Sequence, residues 1–384
     1  MPVAMDRRTF LRSAAVAGVT PSALLAQSYT APRPATAPPT EHTVMLFGDS
    51  VPQTPQNFLA ELSRQVDMHP NVSDAYLVNG AVQDLERMFA ALVGKEDCAY
   101  MPTGTLANNL AVRILAGEHK HVLVQAESHL YCDESDAASI LSGLTLVPLA
   151  PGKANPGANT IAVAIEDAAH RPYPIKVGAI SLESPVRRQN GESIPYSELQ
   201  AISKLAKENG IGMHWDGARS MMLSGTPGFD MKATAALFDT VYMSLYKYLG
   251  APGGAVLAGS KEFIAQAKEL RHIYGGLVYR GWMSALPALA SMPTFPDRLV
   301  KARVAGNQII AKLQHVDGFS VLRVPNESNI IPIKLSPSRL DGLVERLAKQ
   351  DIRARTTKDG ILPFFINEST TRRSPDDIVA AILG

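Results

Sequence analysis

Residues 76–291 alternate short apolar runs with helical patterns, and this alternation constrains the fold more tightly than any other feature of the chain. The strand-like runs are 98–101, 121–124, 177–182, 211–215, 240–243 and 255–258. Between them lie helical patterns at 82–93, 106–115 and 197–208. In the second, Leu106, Leu110 and Ile114 share one stripe; the third stops at Asn209-Gly210. Runs this short and apolar, separated by helices, predict an α/β fold with a mainly parallel sheet covered on both faces. After about Pro293 the rhythm changes. A helix at 298–313, strands at 320–322, 330–333 and 361–366, and a helix at 338–349 predict a small α+β C-terminal domain.

The 384 residues suit a large domain with a smaller companion, expected at 71–292 and 293–384, with 41–70 packing against the small one. A net charge of +1 without long charged runs supplies no electrostatic footprint for nucleic acid or a membrane surface. Cys98 and Cys132 are too few for a disulfide scaffold or a thiolate metal site, and no metal site is expected. Residues 1–30 resemble a twin-arginine signal: Arg7-Arg8, then Phe10-Leu11, then a mildly apolar stretch with small residues near its end. That pathway carries proteins already folded, so a periplasmic protein with a cofactor loaded before export is expected. A proline-rich linker, 31–40, separates this segment from the folded part.

Three polar clusters directly follow strand-like runs: Pro102-Thr103-Gly104-Thr105, Asp216-Gly217-Ala218-Arg219 and Tyr246-Lys247-Tyr248-Leu249-Gly250. Ligands of open α/β sheets bind beyond the carboxyl ends of strands, so the three should face one crevice. Thr103-Gly104-Thr105 opens a helix, where free N–H groups and the dipole suit a phosphate, although helix capping is the plainer use of such a turn. Asp216 could hold a cationic ring nitrogen, bind a metal or cap the next turn. Lys247, desolvated in a crevice, would have the lowered amine pKa that imine formation needs. Phosphate cradle, carboxylate and lysine together form the set that pyridoxal 5′-phosphate (PLP) requires.

The chain also resembles the threonine aldolase and aromatic-amino-acid β-eliminating lyase family of fold-type I PLP enzymes. The matching stretches are Leu85-Glu86 with Gly94-Lys95-Glu96, and the seven residues from Pro102 to Asn108. Ser128-His129 with Glu134, and Leu182-Glu183, continue the match. His214-Trp215-Asp216-Gly217-Ala218-Arg219 and Lys247-Tyr248-Leu249-Gly250-Ala251-Pro252 complete it. The resemblance implies an aspartate-aminotransferase-like large domain with a seven-stranded sheet, and a site at a homodimer interface. It implies that Lys247 is the Schiff-base lysine and that Asp216 pairs with the pyridine nitrogen. His129 would stack on the ring and serve as acid or base, and Gly104 and Thr105 would bind phosphate. Arg219 would contact the phenolic side of the cofactor or support Asp216, and Glu183 would sit in a structural salt bridge or serve the site. The implied activity is that of a lyase acting on an amino acid, by cleavage of a β-hydroxy amino acid or by β-elimination. Transamination, racemisation or a catalytically impaired exported binding protein are the rivals.

Four positions depart from the family pattern. Tyr246 replaces a small hydroxyl residue before the lysine, and Gly48-Asp49-Ser50 replaces Ser-Asp-Thr. The glycine-rich segment reads Gly275-Gly276-Leu277-Val278-Tyr279-Arg280, and the C-terminal arginine that holds the substrate carboxylate has no counterpart near Phe364-Phe365. Either the substrate lacks an ordinary α-carboxylate, or Arg187, Arg188 or Arg280 replaces the missing clamp.

Overall fold

A computed structural model describes residues 38–384; the segment expected to be a twin-arginine signal and most of the expected linker lie outside the described residues. The strands are β1 (Val44–Met45), β2 (Asp97–Met101), β3 (His121–Gln125), β4 (Thr145–Leu149), β5 (Val177–Glu183) and β6 (Gly212–Asp216). They continue as β7 (Thr240–Ser244), β8 (Ala255–Gly259), β9 (Phe319–Val321), β10 (Ile330–Leu335), β11 (Ile352–Arg353) and β12 (Ile361–Phe365). Seven of these form one sheet in the order β2-β8-β7-β6-β5-β3-β4. Only β8 runs against its neighbours, so the carboxyl ends of β2, β3, β5, β6 and β7 all open on one edge. This is the α/β sheet that the alternation predicts.

The sheet is apolar because helices cover both its faces. β5, β7 and β8 are buried along their whole length, which strands with only one covered face would not be. Trp215 on β6 is fully buried and stacks on Phe238, with ring centroids 5.6 Å apart. β4 is the strand that the apolar pattern does not reveal. It lies at the sheet edge, is only half-buried and contains Pro148, so it has little hydrophobic signal to show.

A second core gathers Val44, Leu46, Ile331, Ile333, Leu362 and Phe364 around the antiparallel β12-β10-β9 sheet and the β1-β11 pair. The expected helix at 338–349 is two pieces, broken at Gly342 with φ +61°. The expected packing of 41–70 needs a correction. β1 does join the small core, but the helix Pro55–Met68 buries Leu62 in the large core, because its apolar stripe faces the helix Trp282–Ser291. Cys98 is buried and Cys132 exposed, and both thiols are free. Among the described residues no helix is long and apolar enough to cross a membrane.

Candidate active site

The three polar clusters meet where the sheet topology brings them. The helix Gly104–Ala116 follows β2, and its N-cap Thr103 accepts the Leu106 N–H at 3.1 Å. Ala107 N–H bonds the Thr103 carbonyl, which leaves the Gly104 and Thr105 N–H groups without a partner among the described residues. Gly104 is required by its neighbour: a Cβ there would lie 2.1 Å from the Tyr242 hydroxyl. Tyr242 on β7 stands in register with Asp216 on β6, so the helix start and the carboxylate share one corner of the crevice.

Asp216 is buried and accepts from Asn108 Nδ2 at 2.9 Å and from its own turn, Ala218 N–H, at 3.1 Å. No cation lies within salt-bridge distance of it among the described residues. A buried carboxylate without a salt bridge can still take a positive partner. Lys247 makes no hydrogen bond or ion pair among the described residues; the centroid of the Tyr246 ring lies 5.9 Å from Nζ. Burial pushes its amine down to about 8, and the Arg219 charge adds to this while Asp216, Asp49 and Glu183 oppose it. An unpaired amine, a buried carboxylate with no salt bridge and two unpaired N–H groups at a helix start fit PLP on its aldehyde, ring nitrogen and phosphate.

His129 follows β3 and is about one-third exposed. Its Nδ1 bonds Glu134 Oε1 at 2.9 Å, and that bond raises its pKa against the opposing effect of burial. Asp216 raises it further, whereas Lys247 lowers it. Glu183 accepts the backbone N–H groups of His129 at 2.7 Å and Arg187 at 3.0 Å. It is therefore a clasp for the His129 backbone rather than part of a salt bridge. Burial, seconded by Asp216, pushes its pKa up to about 7.

Arg219 has a carboxylate partner that its place in the chain does not reveal. Its Nε donates to Asp49 Oδ2 at 2.9 Å with both side chains buried, so it is tied to the small-domain entry segment and has no bond to Asp216. Asp49 also receives Asn329 Nδ2 at 3.3 Å, which explains an aspartate within Gly48-Asp49-Ser50. The arginines considered as a carboxylate clamp are engaged elsewhere. Arg187 and Arg188 both bind Asp133, and Arg280 bonds Ser73 while stacking on Tyr279. Phe364 is buried in the small core, and Phe365 donates its N–H to the Leu46 carbonyl.

Two residues near the site carry no role in the sequence reading. Asn108 binds both Glu134 and Asp216, and Gln125 locks Glu183 through a pair of 2.8 Å backbone bonds. The signal for Asn108 is its position four residues after Gly104 in a helix, which puts it on the crevice face one turn down.

A profile of the Beta-eliminating lyase family matches residues 61–336. A probable low-specificity L-threonine aldolase of Arabidopsis thaliana is 28% identical over 305 residues, covering 78% of this chain and 83% of its own. An alanine racemase of Cochliobolus carbonum is 31% identical over 197 residues, 51% of this chain and 50% of its own. The solved threonine aldolase of Leishmania major superposes with a TM-score of 0.71 at 18% identity, covering 88% of this chain and 97% of that one, a likeness of fold.

Proposed function

The chain belongs to the beta-eliminating lyase family as a PLP-dependent lyase acting on an amino acid, and from this premise we propose cleavage of the Cα–Cβ bond of a β-hydroxy amino acid. The observation that carries the reading is an unpaired Lys247 amine together with a buried Asp216 that has no salt bridge, beside the His129–Glu134 pair. When bound, PLP supplies an electron sink for the pair left at the substrate α-carbon. The residues of the chain do the rest. Lys247 offers a neutral amine near pH 8 to the cofactor's aldehyde carbon, and Asp216 holds the ring nitrogen's proton. The N–H groups of Gly104 and Thr105 take the phosphate at the positive end of the helix.

His129 is the base. Glu134 on Nδ1 sets the ring's orientation and basicity, so Nε2 accepts the β-hydroxyl proton as the Cα–Cβ bond breaks. In β-elimination the same Nε2 would return a proton to the leaving group. Arg219 acts on Lys247 through its charge and braces the N-terminal strand through Asp49.

Racemisation is the second reading, favoured by the alanine racemase match. Incubating the holoenzyme with L-threonine, L-allo-threonine, L-serine and L-alanine separates the two. Glycine with acetaldehyde supports cleavage, and D-alanine without aldehyde overturns it. We also propose a homodimer and export by the twin-arginine route. Sedimentation of the holoenzyme as a monomer would reject the first; unchanged periplasmic arrival after Arg7-Arg8 are both changed to lysine would reject the second.

A further inference from the structure

The chemistry proposed above uses Asp216 and His129 but leaves unexplained how two buried carboxylates share the space beneath them. Glu134 and Asp216 are both buried, and they converge on one nitrogen: Asn108 Nδ2 lies 2.8 Å from Glu134 Oε1 and 2.9 Å from Asp216 Oδ2. Like charges this close favour a shared proton, and a proton on Glu134 would deprive His129 of its anionic partner.

The orientation of the Asn108 amide is not free. His214 Nε2 lies 2.9 Å from Asn108 Oδ1, and His214 Nδ1 lies 2.8 Å from Thr240 Oγ1. His214 is fully buried, and this burial depresses its pKa to about 4, so the ring is neutral with one proton. Two carboxylate oxygens can only accept, so the Asn108 NH2 faces them and Oδ1 faces His214 Nε2, which must carry the ring's one proton; Nδ1 is then left to accept from the Thr240 hydroxyl. The two amide hydrogens are thereby turned to the two carboxylates, one each. A flipped amide would set its oxygen against both.

We propose that Asn108 is a positioning residue that keeps Glu134 charged beside Asp216 and so keeps His129 a strong base. The relay Thr240–His214–Asn108 runs from β7 through β6 to the helix after β2, and its only output is the aim of two N–H bonds. This rests on the reading of His129 and Asp216 as cofactor-facing groups. The groups acting on His129 are Glu134, Asp216 and Lys247 on its ring and Glu183 on its backbone, and none of them replaces the Asn108 donors.

The test titrates the His129 imidazole by NMR in the PLP-loaded protein, with the signal assigned by its loss in His129→Asn. Wild type should titrate above the ordinary imidazole value. Asn108→Leu, which keeps volume and removes both donors, should lower the midpoint by about one pH unit, a tenfold change. Glu134→Gln should lower it as well, and the double variant should go no further than Glu134→Gln alone, since both act through one charge. A purely structural Asn108 would change stability and leave the midpoint in place; that result, or full additivity, overturns the proposal. Should Asn108→Leu fail to fold, a wild-type midpoint at or below the ordinary value overturns it equally. Failure of the cofactor assignment would appear separately, as a wild-type protein without a visible PLP band.

Discussion

In the proposed reaction the Lys247 amine carries the chemistry, and its titration can be followed in the protein stripped of cofactor. An ordinary lysine, near 10.5, is neutral in only about three molecules in ten thousand at pH 7. With its pKa pushed down to about 8, Lys247 is neutral in roughly one in ten, an advantage of about 300-fold in reactive amine. Mixing the apo-protein with PLP in a stopped-flow spectrometer and following the visible band at a series of pH values should give a capture rate that rises tenfold per unit below pH 8 and levels above it. Two substitutions should move the midpoint in opposite directions. Arg219→Met removes a cation that disfavours the charged amine, so the midpoint rises; Glu183→Gln removes an anion that favours it, so the midpoint falls. The sign for stability follows from proton uptake. Between about pH 8 and 10.5 the unfolded chain holds a proton on this lysine that the folded apo-protein lacks, so the apo-protein gains stability as pH rises through that window. A capture rate still climbing tenfold per unit at pH 10 would refute the reasoning.

Three more outcomes are expected. Asp49→Asn should destabilise the protein by about 3 kcal/mol in urea unfolding, because it leaves the buried Arg219 guanidinium without a counter-charge. Gly104→Ala should weaken PLP affinity, measured by equilibrium dialysis, since its Cβ meets the Tyr242 ring; adding Tyr242→Phe should restore only part, because Cζ would still lie 2.6 Å away. Glu183 binds its proton more tightly folded than unfolded, so its contribution is full below about pH 4.5 and lost as pH rises through 7. Urea unfolding of Glu183→Gln should therefore lack the decline that wild type shows between those values.

Much of the site was legible because its residues stand at strand ends. Thr103-Gly104-Thr105, Asp216 and Lys247 each follow an apolar run, and in a parallel sheet that is enough to place them on one edge. The edge strand β4 was hidden because it has too little buried surface to leave an apolar pattern. The segment 41–70 was expected on the small domain as a whole, yet its helix Pro55–Met68 buries Leu62 in the large core, because an apolar face records that it is buried, not what it is buried against.

Pair partners belong to the same class of information. Arg219 lies three residues from Asp216 in the chain, yet it bonds Asp49, 170 positions away. Which carboxylate a guanidinium meets depends on side-chain direction and on strands brought together by the small sheet. The sequence by itself determined the layered sheet and the placing of the lysine, carboxylate and glycine set after strands that open on one edge, because alternation, turn chemistry and spacing are local. Only the tertiary structure decided that Asn108 stands between two carboxylates, that His214 aims it, and that Glu183 clasps a backbone, because each depends on distances between separate strands that no local pattern encodes.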